Sequence, residues 1–456
     1  MPPELSTAGR DAPSLPRFIA LWLTQSISIF GSVLSSFAAT TWLATVRYPR
    51  PEDRRALAVM LAVQMLAFIV PSVVVAPLAG AWADRHDRRR TMLVMDVANT
   101  AVAAALAALA VTGRLDAARL IALITLIAIL AAFHRAAFDA SYVMVVPQRH
   151  LARANALVDV SWSVSNVLAP VAGVVLGGLP AAARAGAWSG AGSALAALPD
   201  GWGLAFALDA LSFACGAAAL GVLRIASPAR EPAAAPPLWS DIAFGVRFVL
   251  ARRPLLWLLV SFLLLNLLTA PEHVLVPLML KVDLAGDLRA RGLGFESGYA
   301  LVTLAGSLGG VAGGVAIAVW SGAGRRRVLG VLVPMAAIGL GQLGYGLSTT
   351  IVLATAMAFL ISALGPVTNA HSQTIWQTVT PPEVQGRVFA VRRVVAMCSM
   401  PLGMGLAGLL GGWIDPGWLL GAAGGVLAAA VAIQLASPLR HELERATAPA
   451  AVKSAA

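Results

Sequence analysis

The chain has 456 residues, 59% of them hydrophobic and only 12% charged, a balance far outside that of soluble globular domains. Its formal charge of +11 is almost all arginine at the ends of apolar runs, which speaks against a basic nucleic-acid-binding domain and for membrane topology. The two cysteines, Cys215 and Cys398, fall in separate apolar runs without partners at metal-ligand spacing, so they read as packing residues and no metal or cofactor site is expected.

The polar, proline-bearing start, Met1 to Pro16, lacks the basic-then-apolar order of a cleavable signal, so the first span itself is expected to direct insertion. About twelve runs reach the roughly 20 apolar residues that cross a hydrocarbon core. Their cores lie near 18–46, 56–82, 91–112, 119–146, 154–179, 202–223, 254–280, 297–320, 328–348, 351–378, 388–411 and 417–436. Placing both termini in the cytoplasm puts roughly 22 Lys and Arg residues inside and roughly 10 outside, which satisfies the positive-inside rule.

After span two comes Gly80-Ala81-Trp82-Ala83-Asp84-Arg85-His86-Asp87-Arg88-Arg89-Arg90, a short charged hairpin held at the membrane surface. Gly80 is expected to let two helix ends approach, Asp84 to accept from a neighbouring helix N-terminus, and Arg85, Arg88 and Arg89 to anchor the turn. Charges that pair across the cytoplasmic face in one state and part in another would make this a gating loop, with Asp96 in span three joining it. Simple topological anchoring explains the arginines but not Asp84.

An ionisable group inside a span costs about 2.5 to 3.5 kcal/mol on insertion scales, so each needs a partner or a water-filled cavity. Span four carries His134, Arg135 and Asp139, and the four-residue spacing sets Arg135 and Asp139 on one face as either a proton-sensitive switch or a static pair. The loop Pro180 to Asp200 is rich in Ala, Gly and Ser and is expected to be a flexible connection. Asp209 in span six is a proton-coupling candidate or a packing carboxylate. The segment 224–253 reads as a linker followed by a surface helix with Trp239, Ile242, Val246, Val249 and Leu250 on one side. In span seven, Pro271 and Pro277 bracket Glu272 and His273, which predicts a loosened helix and a carboxylate able to take a proton or a cationic group. Gln25, Gln64, Asn266, Asn369 and Gln373 are polar residues on apolar helices that line a substrate cavity or hydrogen-bond between helices. Gly306, Gly309, Gly310, Gly313 and Gly314 in span eight, and Gly403, Gly405, Gly408, Gly411 and Gly412 in span eleven, favour close helix packing.

The two halves echo one another. Arg88-Arg89-Arg90 has a counterpart in Arg325-Arg326-Arg327, and Pro147 with Arg153 recurs as Pro381 with Arg387 at a similar offset, as a duplication would leave. The expected organisation is an N-terminal six-helix bundle over 1–223, a linker with a surface helix over 224–253, a C-terminal six-helix bundle over 254–437 and a tail over 438–456.

Four stretches carry a family likeness. Gly80 to Arg89 has the spacing of Gly, three residues, Asp-Arg, two residues and a basic pair; the others are Arg153-Ala154-Asn155-Ala156-Leu157, Asp209-Ala210-Leu211-Ser212-Phe213, and Pro381-Pro382-Glu383 with Gly386-Arg387-Val388-Phe389. In that order they resemble the major facilitator superfamily, and within it bacterial drug and siderophore exporters such as the enterobactin and macrolide efflux proteins. The resemblance implies an all-α integral membrane fold of about twelve transmembrane helices in two six-helix bundles. It also implies alternating access about a central site, and export. Two departures stand out. Ala169-Pro170-Val171-Ala172-Gly173-Val174 keeps only the proline and one glycine of the antiporter pattern Gly-Pro-x-x-Gly-Gly, and Ala136-Ala137-Phe138 stands where the exporters show Pro-Ala-Arg.

With Lys281 and Lys453 as the only lysines and neither after a glycine-rich loop, no ATPase is encoded, and no hydrolase motif has a credible setting. The expectation is a monomeric, non-enzymatic, multi-pass protein of a bacterial cytoplasmic membrane, exchanging an amphipathic small molecule for protons. A facilitator or importer, and a non-transporting sensor or scaffold, are the alternatives.

Overall fold

The computed structural model describes residues 15–146, 150–186, 192–223, 238–320 and 326–438, with His441 and Glu444. Among these there is no strand, and sixteen α-helices follow in chain order. They are α1 Leu15–Trp42, α2 Arg54–Arg85, α3 Arg88–Val111, α4 Ala117–Val145, α5 Leu151–Arg184, α6 Gly192–Ala196, α7 Trp202–Val222 and α8 Leu238–Leu250. Then come α9 Arg253–Thr269, α10 Glu272–Val282, α11 Ala285–Ala290, α12 Phe295–Trp320, α13 Arg327–Gly346, α14 Ile351–Val379, α15 Gln385–Leu410 and α16 Pro416–Ala436.

Twelve spans among the described residues are long and apolar enough to cross a bilayer, and the protein is a multi-pass membrane protein. In hydrocarbon every backbone N–H and C=O must be satisfied within the segment, which is why apolar runs of this length fold as helices. The seventh span, Arg253–Val282, is made of α9 and α10, and it breaks where Pro271 withholds a backbone donor. Ends are closed by side chains: Asp87 Oδ1 accepts from Arg90 N at 2.6 Å to cap α3, and Asp415 Oδ1 accepts from Trp418 N at 3.1 Å to cap α16.

By its contacts the chain forms two units, Met1–Pro49 with Val63–Glu231, and Arg50–Ala62 with Pro232–Ala456. The expected division near residue 223 omits one feature: the start of α2 belongs with the second unit. There Arg54 Nε donates to Gly411 O at 3.0 Å, and Arg55 lies 3.2 Å from the centre of the Trp413 ring.

Internal packing follows one pattern in both units. The third span packs on the fourth and sixth (α3 with α4 and α7), and the ninth on the tenth and twelfth (α13 with α14 and α16). Likewise the first packs on the fifth (α1 with α5), and the seventh on the eleventh (α9 with α15). In the second unit α12 and α14 meet backbone to backbone: a Cβ at Gly309 or Gly313 would strike the carbonyls of Phe359 or Ala363, while Gly310 and Gly314 face open space.

Several sequence expectations need correction. A Cβ at Gly80 would meet nothing within 4 Å, so no close helix approach depends on that glycine. Part of the stretch after Pro180 is helical, since α5 continues to Arg184 and α6 spans Gly192–Ala196, while 187–191 lie outside the described residues. The buried side of α8 is Gly245, Phe248 and Val249 against α15, whereas Val246 and Leu250 are exposed. Cys215 and Cys398 are exposed on helix faces. Residues 224–237, Pro147, Arg325 and most of the tail lie outside the described residues.

Candidate functional site

Three helices of the first unit bring polar side chains to one buried point. Consecutive residues on α4 are turned by about 100°, so His134 points inward while Arg135 points out. His134 Nδ1 lies 2.9 Å from Asp96 Oδ1 of α3, and His134 Nε2 lies 2.9 Å from Gln25 Oε1 of α1. Asp96 is 1% exposed and Gln25 9%, so the chain of three is shielded from bulk solvent and lipid. Gly216 of α7 makes the room, since a Cβ there would stand 2.9 Å from Asp96 Oδ2.

Both nitrogens of an imidazolium donate, so the protonated ring satisfies Asp96 and Gln25 together. A neutral ring has a single N–H, and a half-turn of the Gln25 amide then lets its NH₂ face the bare nitrogen. Three buried atoms of this trio, Gln25 Nε2, Asp96 Oδ2 and His134 Nδ1, lack a hydrogen-bond partner of good geometry, although Nδ1 lies 2.9 Å from Asp96 Oδ1. Asn99, also 1% exposed and one turn further along α3, has both side-chain atoms unpaired. At 2.9 Å, Asp96 and His134 lie close enough for opposite charges on them to cancel, the condition under which ionisable groups are tolerated in a low-dielectric interior.

The arginines of the loop after span two do different work from the one expected. Arg88 Nη1 donates to Ala140 O at 2.8 Å on α4, while Arg89 donates from Nε to Leu220 O at 2.7 Å and from Nη2 to Gly221 O at 2.6 Å on α7. Arg89 satisfies orphan carbonyls at the C-terminus of α7, and Arg88 ties the start of α3 to α4, so the two cations clamp the unit together. Asp84 is exposed, with a loose 3.8 Å contact to Arg88, and Arg85 is exposed beside it. Asp96 does not join these charges, because it is buried against His134.

Other candidates fall elsewhere. Arg135 and Asp139 approach to 3.8 Å with both side chains more than half exposed. Asp209 is buried between α7 and α1, with Ser32 and Ser212 hydroxyls 3.5 and 3.4 Å from Oδ1. Gln64 is 3% exposed and donates to Thr40 Oγ1 at 3.1 Å, so it clips α2 to α1 instead of lining an open wall.

In the second unit, Asn266 of α9 donates to Ala396 O of α15 at 3.2 Å, and one turn away Arg392 Nη1 donates to Gln373 Oε1 of α14 at 2.6 Å. Asn369 is exposed, a turn before Gln373 on the same helix. Glu272 opens α10 half-buried, with no hydrogen-bond or ion-pair partner among the described residues. Farther along, beyond the end of α10, Asp283 accepts from Gly417 N at 3.0 Å beside Asp415, in a recess of about 320 Å³ also lined by Ser348 and Trp418. Burial, reinforced by the Asp415 charge, pushes the Asp283 carboxyl up to about 6.

Sequence reasoning named His134 but assigned its span's chemistry to Arg135 and Asp139, and it passed over Asn99 and Arg392. A helical-face projection of span four would have separated His134 from its neighbour. Arg392 was absorbed into the count of basic residues near a cytoplasmic end.

The family model of the Major Facilitator Superfamily matches residues 21–317. Macrolide efflux protein A of Streptococcus pyogenes is 22% identical over 160 residues, which is 35% of this chain and 38% of that protein. A bacterial homolog of the human lysosomal transporter Spinster, inward-facing and unoccupied, superposes with a TM-score of 0.62 at 15% identity, covering 95% of both chains. A peptide transporter in complex with alafosfalin gives a TM-score of 0.63 at 13% identity over 94% of this chain and 95% of its own. A bacterial homologue of the iron transporter ferroportin, inward-facing, gives 0.58 at 15% over 96% and 100%.

Proposed function

This chain belongs to the Major Facilitator Superfamily and has a transporter's fold, and from that premise we propose that it is a proton-coupled secondary transporter exporting an amphipathic small molecule. The observation that carries the coupling is the buried His134 pair with Asp96, backed by Gln25. A titratable pair in hydrocarbon costs free energy and is a default sign of an ion or proton pathway. Taking up one proton changes its net charge, and with it the relative stability of any two conformations that solvate it differently. Export is supported by the partial likeness to a macrolide efflux protein, which spans little more than a third of each chain.

Within this reading the protein works as a monomer in a bacterial cytoplasmic membrane with both termini inside. Arg88 and Arg89 keep the first unit rigid, and the exposed Asp84 and Arg85 are the loop charges that would form a gate's contact surface. Asn266, Asn369 and Gln373 belong to the substrate wall of the second unit. Glu272 is a second protonatable group.

The test is transport by purified protein in liposomes with an imposed pH gradient, using a panel of dyes, macrolides and siderophores and a pH-sensitive dye inside. The expected result is solute flux that carries protons the opposite way and stops with an uncoupler. Solute flux indifferent to the pH gradient would refute coupling, and no flux of any panel member from folded protein would refute transport of this class.

A further inference from the structure

Arg392 carries a charge that the described protein does not neutralise. It stands about seven residues, or about 10 Å, inside the start of α15, after the apolar run Val388–Val391 and before the exposed Arg393. Its nitrogens donate to Gln373 Oε1 at 2.6 Å and Ser372 Oγ at 3.3 Å, and its guanidinium carbon lies 5.3 Å from the Trp376 ring centre and 5.9 Å from that of Phe262. Among the described residues no carboxylate comes within ion-pair distance of it.

Snorkelling does not explain this placement. A long basic side chain that escapes to the membrane surface turns toward its nearest helix end. Arg392 instead bonds residues of α14 that are themselves about six or seven positions, or about 9 to 10 Å, from the end at Val379. The guanidinium therefore stays at the depth of its own Cα. Neutral oxygens and two ring faces return part of the cost of keeping a cation there, and an anion returns the rest.

Donors around it match such an anion. The guanidinium has five N–H groups, of which the recorded contacts use two, and its planar fork fits a carboxylate. Gln373 holds the cation through its oxygen, leaving its NH₂ group to donate, and Asn369 stands exposed one turn away. Trp376 and Phe262 flank the cation with apolar surface.

We propose that Arg392, with the Gln373 and Asn369 amides, binds the carboxylate of an amphipathic organic acid whose apolar body lies against Phe262, making an anionic amphiphile the substrate class. The inference rests on the transporter reading and narrows it. Hydrophobic cations and neutral macrocycles are not what this wall selects.

The test compares octanoate, octanamide and octylamine by equilibrium dialysis against the full chain in phosphatidylcholine nanodiscs, with empty nanodiscs subtracted. Octanoate is expected to bind at least about tenfold tighter than octanamide, a difference of about 1.4 kcal/mol. Arg392→Gln is expected to abolish that preference and Arg392→Lys to keep part of it, since lysine retains the charge but not the fork. Equal binding of acid and amide by the unaltered protein overturns the inference whether or not the variants fold, as does a preference that survives in Arg392→Gln. The transporter reading is judged separately by gradient-driven flux of the dye panel, which can succeed while octanoate shows no preference.

Discussion

Asp96→Asn isolates the proposed coupling pair. At the observed 2.9 Å, two opposite unit charges would attract by about 6 kcal/mol at an effective dielectric of 20, before desolvation is charged against it. Asparagine preserves the side-chain shape and an oxygen facing His134, so the fold should lose only about 1 to 2 kcal/mol, the scale of one altered buried hydrogen bond. The two consequences separate in one preparation. In liposomes, solute flux driven by a pH gradient should fall at least about tenfold, while solute exchange without a gradient falls less. The bell or slope of flux against pH should flatten. Gradient-driven flux and a pH profile both matching the unaltered protein would show that Asp96 merely fills space and that the proton travels elsewhere.

Asp139→Asn should shift the pH profile less than Asp96→Asn and cost at most about 0.5 kcal/mol, because an exposed i,i+4 pair contributes little; comparison of the two profiles checks this. Arg89→Ala removes two charge-assisted bonds to the end of α7 and should cost about 1.5 to 3 kcal/mol in thermal denaturation of the detergent-solubilised protein. Gly313→Leu should destabilise the second unit by more than Gly314→Leu, because only the first drives a side chain into the α14 backbone. Asp283 is held protonated up to about pH 6, above its ordinary 3.8, so its contribution to stability is present in acid and lost as the pH rises through 6. The unfolding midpoint should therefore fall as the pH rises from about 4 to about 6 and level off above that, and Asp283→Asn, which mimics the protonated acid, should flatten that fall.

Apolar length alone determined twelve spans, since a chain that long and that hydrophobic has no fold but helices that satisfy their own backbones in lipid. The break in span seven was legible in part: the helix breaks at Pro271, which lacks a donor, whereas Pro277, equally donorless, stays inside an unbroken α10. Family membership was legible too, in four short motifs. Which polar residue meets which was not. Helical periodicity gives neighbours on one helix, and so it offered Arg135 with Asp139; the buried partner of His134 lies on α3, and the acceptors of Arg89 on α7. Such pairings depend on helix rotation and depth set by packing, including a glycine at 216 that only matters once Asp96 needs its space. The unpaired charge of Arg392 is likewise invisible in a sequence, where an arginine near a helix start looks the same whether it rests at the surface or is held inside.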